Sequence, residues 1–313
     1  MDKNSKIVIP GAAGLVGQNL IVMLKEQGYK NIVAIDKHEH NTEMLRNLHP
    51  EITVILADLA EPGEWMDSFS GAEVLIMLQA QITSKTSEPF VRNNIVATEV
   101  ILNAAQKYRV PYIVHISSSV VVSVADDDYT NTKKAQEELV VNSGFKYCVV
   151  RPTLMFGWFD KKHLGWLSRF MKWVPVFPIP GDGKYLRQPL YVRDFCAVII
   201  KAMERKPENK VYDITGVENV DYIDIIRTIK RVKKLNTIIL NIPYSLFYYL
   251  LKIYAIFSSK PPFTADQLKA LTAGDTFTVY PWGEEFGVTP TPFEAAMHET
   301  HHHPAYSKYI LKP

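Results

Sequence analysis

Three glycines near the N-terminus have the spacing of a dinucleotide-binding loop. Gly11, Gly14 and Gly17 follow an apolar, strand-like run at residues 7–9 and precede an apolar-periodic, helix-like stretch. In such a loop the first glycine allows a sharp turn, the second a close approach of a pyrophosphate, and the third tight packing of the helix on the sheet. Free N–H groups at the helix N-terminus would face the phosphates. A plain strand–turn–helix is the alternative. The cofactor-binding residues predicted in this segment are Gly11, Ala13, Gly14, Leu15, Val16 and Gly17.

An acidic residue, Asp36, follows the second apolar run at residues 31–35. Its carboxylate can accept hydrogen bonds from both hydroxyls of the adenosine ribose and would repel a 2′-phosphate, which favours NAD over NADP. Lys37 and His38 favour the opposite choice, because their charges can partly neutralise an additional phosphate. We therefore expect NAD, with NADP as the less favoured alternative.

The third strand-like run, residues 52–57, is followed by Asp58 and Leu59. We predict that these two residues contact the adenine of the cofactor. An equally supported alternative is that Asp58 caps a helix or faces solvent in a turn.

Tyr129 and Lys133 lie four positions apart, which is one turn of a helix. An ammonium group beside the phenol would favour the phenolate and lower the pKa of Tyr129 from about 10. A tyrosine with such a pKa can act as a general base near neutral pH. This pair also occurs on solvated helices, but Ser117, Ser118 and Ser119 follow a strand at the edge where open α/β sheets bind ligands.

Strand-like and helix-like segments alternate up to residue 150, with strands near residues 6–9, 31–35, 52–57, 73–78, 111–117 and 146–150. This alternation predicts an α/β fold with a Rossmann-like, doubly wound parallel sheet and a smaller C-terminal substrate domain. We place a dinucleotide-binding domain at residues 1–150 and a smaller, partly interleaved substrate-binding part at residues 151–313. In the second part we expect a strand at residues 210–215, a helix at residues 221–234 and a mostly irregular or helical tail.

Composition narrows the functional classes. The chain has 313 residues, 47% of them hydrophobic, so it can bury one large core or two unequal ones. Its 35 basic and 33 acidic residues nearly cancel, which gives no indication of nucleic-acid binding. Cys148 and Cys196 lack CxxC spacing, and the N-terminus enters the first strand without a signal peptide. We therefore expect reduced thiols and a cytoplasmic protein.

Taken together, the glycine loop, Asp36, the three serines, Tyr129 with Lys133, and Arg151-Pro152 resemble the extended short-chain dehydrogenase/reductase superfamily. The likeness is to its NAD-dependent epimerase/dehydratase branch and runs over most of the chain. Three further positions carry the resemblance: Asn94 matches an asparagine in the helix after the fourth strand, Arg187 an arginine that meets a nucleotide-sugar diphosphate, and Asp194 the aspartate of a V-x-D junction.

The resemblance implies an oxidoreductase or epimerase acting on a hydroxyl group of a nucleotide-activated sugar. Ser119, or alternatively Ser118, would hydrogen-bond a substrate oxygen, and Tyr129 would take its proton. Lys133 would hold the phenolate and the nicotinamide ribose, and hydride would pass to the cofactor. Asn94 joins the cofactor-binding residues and Arg187 the substrate-binding residues. We expect a homodimer.

The sequence also departs from the sugar epimerases. Ser119 and Tyr129 are only ten positions apart, where those enzymes carry a longer loop that lines the substrate pocket. A short loop resembles atypical members, including a group related to an accessory subunit of respiratory complex I, which bind nucleotide without clear turnover. The intact Ser/Tyr/Lys set favours an enzyme over such a binding module.

Two remaining segments of the sequence each have a structural and a functional interpretation. The aromatic stretch at residues 244–257 is too short to span a bilayer and predicts a buried or interface helix. Together with Trp166, Phe170 and Trp173 it leaves open a lipid-linked substrate or peripheral membrane contact. The C-terminal histidines, His298 and residues 301–303, lack accompanying acids or cysteines, so we predict a solvated tail and no metal site.

Overall fold

A seven-stranded parallel sheet forms the centre of the protein in this computed structural model, which describes residues 1–257, 265–272 and 278–312. The strands are β1 (Lys6–Pro10), β2 (Ile32–Asp36), β3 (Thr53–Leu56), β4 (Ala72–Met77), β5 (Tyr112–Ile116), β6 (Lys146–Pro152), β7 (Met155–Phe156), β8 (Val176–Pro180), β9 (Leu186–Arg187), β10 (Leu190–Tyr191), β11 (Lys210–Ile214), β12 (Val220–Asp221) and β13 (Ile238–Ile242). The central sheet has the order β11-β6-β5-β4-β1-β2-β3. The predicted Rossmann-like parallel sheet is therefore confirmed.

Helices connect these strands and cover both faces of the sheet. They are α1 (Leu15–Glu26), α2 (Glu39–Leu48), α3 (Glu88–Phe90), α4 (Ala97–Lys107), α5 (Asp128–Val141), α6 (His163–Trp173), α7 (Val192–Arg205), α8 (Tyr222–Val232), α9 (Tyr244–Phe257), α10 (Ala265–Thr272), α11 (Trp282–Phe286) and α12 (Phe293–His302). A π-helical turn at Val91–Val96 joins α3 to α4, and 3-10 turns lie at Glu64–Phe69 and Ser119–Val122.

Two apolar cores lie on opposite faces of the sheet because successive strand residues point to opposite sides. In β1, Ile7 and Ile9 pack into one core, while Val8 packs into the other. Strands buried on both faces have to be apolar throughout, as these are. After β3 the chain crosses back and adds β4 on the other side of β1, so the order of the strands reverses there. Such a reversal leaves a crevice at the carboxyl ends of the strands, where ligands of open α/β sheets bind.

The second half of the chain contributes to the same sheet. Strand β11 pairs in parallel with β6, and α7 packs against α1. The strand and helix expected near residues 210–215 and 221–234 are β11 and α8. Three small sheets were not expected: β7 with β10, β9 with β12, and β8 with β13. Their strands are short or pair across long stretches of sequence, which leaves no local periodic signal.

The C-terminal histidines belong to a packed helix and its C-cap, so the expectation of a solvated tail holds for the exposed His298 and His302 and is wrong for the partly buried His301 and His303. Helix α12 buries Phe293, Met297 and their neighbours on one face. Burial lowers the pKa of His301 to about 3, and the ring of His303 lies 4.4 Å from that of Trp158. Among the described residues, no three His, Cys, Asp or Glu side chains are grouped as metal ligands. Within the same residues, no helix is both long enough and apolar enough to cross a bilayer.

Candidate functional site

The turn between β1 and α1 depends on two glycines for steric reasons. Gly11 has a φ of +79°, and a Cβ there would lie 2.4 Å from the backbone nitrogen of Gln79. A Cβ on Gly17 would lie 2.2 Å from the carbonyl oxygen of Ala12. Both positions therefore exclude a side chain because backbone atoms already occupy the space. The loop is pressed against the residues that follow β4.

Gly14 differs from the other two glycines because its side faces open space. It precedes α1 with a φ of −79°, and a Cβ there would have its nearest neighbour at 3.6 Å. No side chain caps α1, so the first amides of the helix, those of Leu15, Val16 and Gly17, have no acceptor within the helix. Uncapped amides beside an open glycine fit the pyrophosphate of a dinucleotide.

Asp36, the last residue of β2, is fixed by the same loop. Its Oδ2 accepts a hydrogen bond from the Ala13 amide at 2.9 Å, and its Oδ1 accepts one from the His38 amide at 3.0 Å. Burial raises the pKa of Asp36, and these two amides oppose that effect. The Lys37 amide also interacts with this carboxylate, so most of its lone pairs are engaged by the backbone and the remainder can accept from a ribose hydroxyl. The Ala13 amide is engaged by Asp36, which leaves the later amides of the loop for phosphate.

Lys37 and His38, the two residues after Asp36, both have protein partners. Lys37 Nζ lies 2.5 Å from Asn93 Oδ1 and 3.5 Å from Asp58 Oδ2. His38 caps α2, with its Nδ1 accepting from the Asn41 amide at 3.3 Å. Lys37 and His38 are therefore engaged by the protein, and a third basic residue, Lys161, lies near enough for the charge of Asp36 to raise its pKa against the larger effect of burial.

Asp58 and Leu59 both stabilise the turn that follows β3. Asp58 accepts from the Ala60 amide at 3.0 Å and lies 3.3 Å from Arg92 Nη2. Burial would raise the pKa of Asp58, but the Ala60 amide and the cations of Lys37 and Arg92 lower it below its usual value. The side chain of Leu59 is buried in the apolar core. Contact of this turn with adenine stays a prediction.

Asn94 lies in the π-helical turn and is fully buried. Its Oδ1 accepts from the Gln81 amide at 2.6 Å, and its Nδ2 donates to Thr132 Oγ1 at 3.0 Å. It therefore joins the loop after β4 to α5. A π-turn shifts the register of a helix, which aims this side chain inward. Direct cofactor contact by Asn94 stays a prediction.

Tyr129 lies half-buried in the first turn of α5, whose N-terminus is capped by Asp127. Burial raises the pKa of Tyr129, a side-chain hydrogen bond with Ser118 lowers it, and the charge of Asp127 raises it again. The net shift is upward. The expectation that Lys133 lowers this pKa is wrong for this arrangement, because the ammonium of Lys133 is directed elsewhere.

Lys133 is buried beneath Tyr129 and donates hydrogen bonds to the Ile116 carbonyl at 3.0 Å and to Gln136 Oε1. Burial lowers its pKa to about 7, and the negative charge of Glu137 opposes that shift. An ammonium has three N–H donors, so one is left for a further acceptor.

Two side chains important to this arrangement, Gln136 and Glu137, were missed from the sequence. Gln136 Nε2 donates to the Gln79 carbonyl at 3.2 Å and to Thr98 Oγ1 at 3.0 Å. Glu137 forms an ion pair with Arg151 and accepts from Ser117 Oγ. Gln136 and Glu137 lie seven and eight positions after Tyr129, on the same helical face, so periodicity could have identified them.

The serines occupy different environments. Ser118 is buried, its Oγ accepts from the Val120 amide at 3.4 Å, and it interacts with Tyr129. Ser119 begins the 3-10 turn and is partly exposed. Ser118 is thus linked to Tyr129, whereas the assignment of Ser119 to substrate stays a prediction.

The two residues matched to the substrate segment have protein partners. Arg187 Nη2 donates to the Leu271 carbonyl of α10 at 2.7 Å, and its charge lowers the pKa of Tyr222, against the larger effect of burial. Asp194 accepts from the Thr291 amide at 2.8 Å and from its hydroxyl at 2.7 Å. Asp194 therefore ties α7 to the C-terminal segment, and Arg187 is held against α10.

Comparison with known proteins identifies the family of this chain. The sequence model of the NAD dependent epimerase/dehydratase family matches residues 7–215. A 4-hydroxy-2-methyl-3-oxo-4-farnesyl-3,4-dihydroquinoline-1-oxide ketoreductase from Stigmatella aurantiaca is 25% identical over 261 residues, which cover 75% of each chain. A ceramide reductase from Caulobacter vibrioides is 26% identical over 221 residues, covering 71% of this chain and 68% of that protein.

A solved structure shows the same fold. The UDP-glucose 4-epimerase from Thermotoga maritima, determined with UDP-glucose, superposes with a TM-score of 0.73 at 20% identity. The superposition covers 94% of this chain and 97% of that one. The likeness therefore extends beyond the central sheet into the second half of the chain.

The glycines allow a matched test of the cofactor loop. Gly14→Ala should keep the thermal stability of the protein but weaken NAD binding at least about tenfold, because the new methyl group enters space open to a pyrophosphate. Gly17→Ala should instead lower the melting temperature by several degrees, because its Cβ meets the Ala12 carbonyl. Calorimetric titration and thermal unfolding measure the two effects. Equal NAD affinity in Gly14→Ala and unmodified protein would contradict this assignment.

Asp36→Asn tests cofactor choice. The amide keeps one oxygen acceptor for the Ala13 amide but removes the negative charge, so the preference for NAD over NADP should fall by about tenfold, or 1.4 kcal/mol. Titration of both dinucleotides against both proteins gives the ratio. Tighter binding of NADP than of NAD by the unmodified protein would show that the role of Asp36 is misassigned.

Proposed function

The chain belongs to the NAD-dependent epimerase/dehydratase family, and on that premise we propose that it oxidises or reduces a hydroxyl-bearing carbon of a nucleotide-activated sugar. One observation carries the proposal. The uncapped glycine loop follows β1, while Ser118, Tyr129 and Lys133 gather where β5 ends. Both strands pair in parallel with β4, so their carboxyl ends share one edge of the sheet. A dinucleotide on the loop and a substrate beside Tyr129 can therefore meet.

Bound NAD supplies the acceptor for hydride, and the chain supplies proton transfer and positioning. Tyr129 is the proposed acid and base at the substrate oxygen. Because its pKa is raised, the phenol keeps its proton at neutral pH and is ready to donate it to a carbonyl oxygen. In the opposite direction Tyr129 has to lose that proton before it can accept one from an alcohol.

Lys133 and the serines position the reacting groups in this proposal. Lys133 uses its remaining N–H donor to hold the phenol oxygen or a ribose hydroxyl of the cofactor. Ser119 is the proposed hydrogen-bond donor to the substrate oxygen, and Ser118 is the alternative supported by its interaction with Tyr129. The side chain of Ser118 is already placed, whereas that of Ser119 lies closer to solvent.

Arg187 is the proposed contact for the diphosphate of a nucleotide sugar. A diphosphate in a partly dry cleft requires a fixed cation, because an unpaired buried charge is costly. The Leu271 carbonyl that now accepts from Arg187 is a weaker partner than a diphosphate. Substrate binding would therefore displace this contact with α10.

A second candidate substrate is a lipid with a hydroxyl or keto group. The observation in its favour is that α9 and β13, which precede α10 in the chain, expose large apolar side chains. The ketoreductase and the ceramide reductase that resemble this chain are named for farnesylated and ceramide substrates. Homodimer formation and a cytoplasmic location stay predictions for either substrate.

Tyr129→Phe tests the chemical step. The substitution removes only the phenolic oxygen, so turnover should fall by about 10²-fold or more, while NAD affinity should change less than about twofold. Lys133→Met, which keeps the length of the buried stem, should reduce both turnover and NAD affinity. Absorbance of NADH at steady state and calorimetric titration give the two quantities.

The same assays include their controls. Ser118→Ala and Ser119→Ala, measured side by side, identify the hydroxyl that holds the substrate. Alcohol oxidation by the unmodified protein should rise as the pH increases above 7, because the raised pKa of Tyr129 keeps the phenolate scarce at neutral pH. Turnover by Tyr129→Phe equal to that of the unmodified protein would refute the proposed role. NAD binding without turnover of any tested substrate would favour a binding module.

Arg187→Gln distinguishes the two substrate classes. With a UDP- or dTDP-activated sugar, KM should rise about tenfold or more while kcat changes little, because the lost charge contacts the diphosphate and not the reacting carbon. With a long-chain ketone or alcohol in micelles, KM should not change. Lys184→Gln removes an exposed charge from the same segment and is the matched control. An unchanged KM for the nucleotide sugar in Arg187→Gln would exclude the diphosphate contact.

A further inference from the structure

The pair of strands β8 and β13 leaves one face apolar and exposed. Val176 pairs directly with Ile238, and Pro178 pairs with Leu240. Alternate residues of a strand share a face, so these four side chains lie on one side of the small sheet. Ile238 is 61% exposed, whereas Phe177 on the other side is buried.

Helix α9 continues this exposed apolar surface directly after β13. Its exposed large side chains lie at spacings of three and four and therefore form one stripe. Tyr249 is 62% exposed. The stripe consists of Leu246, Tyr249, Leu250, Ile253 and Tyr254.

The C-terminal end of α6 adds an aromatic group just before β8. Trp173 is 80% exposed, and Lys172 Nζ lies 5.8 Å from the centre of its ring. One turn earlier, the rings of Trp166 and Phe170 stack at 5.1 Å, and Trp166 is also exposed. The ring of Phe170 also lies 6.2 Å from that of Phe177, on the other side of the small sheet, so the Trp166–Phe170 pair is a separate group. We call Trp173 and the exposed side chains of β8, β13 and α9 the apolar face.

The two chain segments that carry the apolar face are rich in basic residues, although exposed Asp182 directly follows the first and Asp224, which pairs with Arg227, directly precedes the second. These segments, residues 161–181 and 225–257, contain no Asp or Glu. This is unusual for a chain whose basic and acidic residues nearly balance. Some of these cations pair with acids elsewhere, as Arg231 does with Glu294. The basic residues of the two segments are Lys161, Lys162, Arg169, Lys172, Arg227, Lys230, Arg231, Lys233, Lys234 and Lys252.

We propose that the apolar face docks the protein onto the surface of a bilayer that contains anionic lipids. Tyrosine and tryptophan combine an apolar ring with a polar tip and concentrate at membrane–water interfaces. Neighbouring lysines attract anionic head groups, and an apolar stripe inserts among the upper acyl chains. The absence of acidic residues from these segments reduces the repulsion that such a surface would meet.

Helix α9 is long enough to lie on the surface of a bilayer but too short to cross it. A helix of 14 residues is about 21 Å long, which is less than the roughly 30 Å of a hydrocarbon core. Its stripe is on one side only, since Phe247 and Tyr248 on the other are partly buried. The helix therefore lies in the plane of the interface.

Co-sedimentation with vesicles tests this proposal without any assay of activity. The full-length protein should sediment with vesicles of phosphatidylcholine containing about one-third phosphatidylglycerol, and far less with phosphatidylcholine alone. Binding should weaken as salt is added. The double variant Trp173→Ser/Ile253→Ser should lose about tenfold or more of its partition onto the mixed vesicles. NAD binding by the same preparation shows that the variant is folded.

The matched control is Leu56→Ser/Val211→Ser, which removes two exposed apolar side chains from the edge strands β3 and β11. It should bind vesicles as the unmodified protein does. Equal loss in both double variants, or equal binding by the unmodified protein and Trp173→Ser/Ile253→Ser, would overturn the proposal. A third result would also overturn the proposal: the unmodified protein does not bind vesicles but forms a dimer, and only Trp173→Ser/Ile253→Ser dissociates that dimer. A second copy of the chain would then occupy the apolar face.

Discussion

The backbone of Gln79, just after β4, connects the two halves of the site. On one side it touches Gly11, where any Cβ would approach its nitrogen to 2.4 Å. On the other side its carbonyl accepts from Gln136, which in turn accepts from Lys133. The cofactor loop and the helix that carries Tyr129 are therefore held against one short segment of chain. A buried ammonium is tolerated only where hydrogen bonds satisfy it, and the end of β5 together with Gln136 provides them.

This packing explains why the glycine loop and Asp36 act as one unit. Asp36 accepts from the Ala13 amide, so the residue that would recognise a ribose also holds the turn that would bind phosphate. The side chains that follow it are held by protein partners, Lys37 by Asn93 and Asp58, and His38 in the cap of α2. The carboxylate of Asp36 is the group that favours NAD, and it does so against the nearby positive charge of Lys161.

Tyr129 and Arg187 lie on the substrate side of the proposed site. Tyr129 has a raised pKa because burial disfavours the phenolate and Lys133 is directed toward Ile116 and Gln136. Arg187 meets a neutral carbonyl of α10. The apolar face precedes α10 in the chain, so attachment to a bilayer would lie close in sequence to the segment that now engages Arg187.

Much of this protein could be predicted from its sequence, because the relevant signals are local. Alternating strands and helices predicted the parallel sheet, and glycine spacing with Asp36 predicted a dinucleotide loop whose geometry the structure provides. The sequence also placed Tyr129 and Lys133 one turn apart on a helix, but not the direction of the Lys133 side chain. That direction was decided by tertiary structure, since the Ile116 carbonyl and Gln136 compete with the phenol for its protons. Tertiary structure likewise decided the packing of α12, the pairing of β8 with β13 and the exposure of α9, because burial depends on what the rest of the chain leaves uncovered.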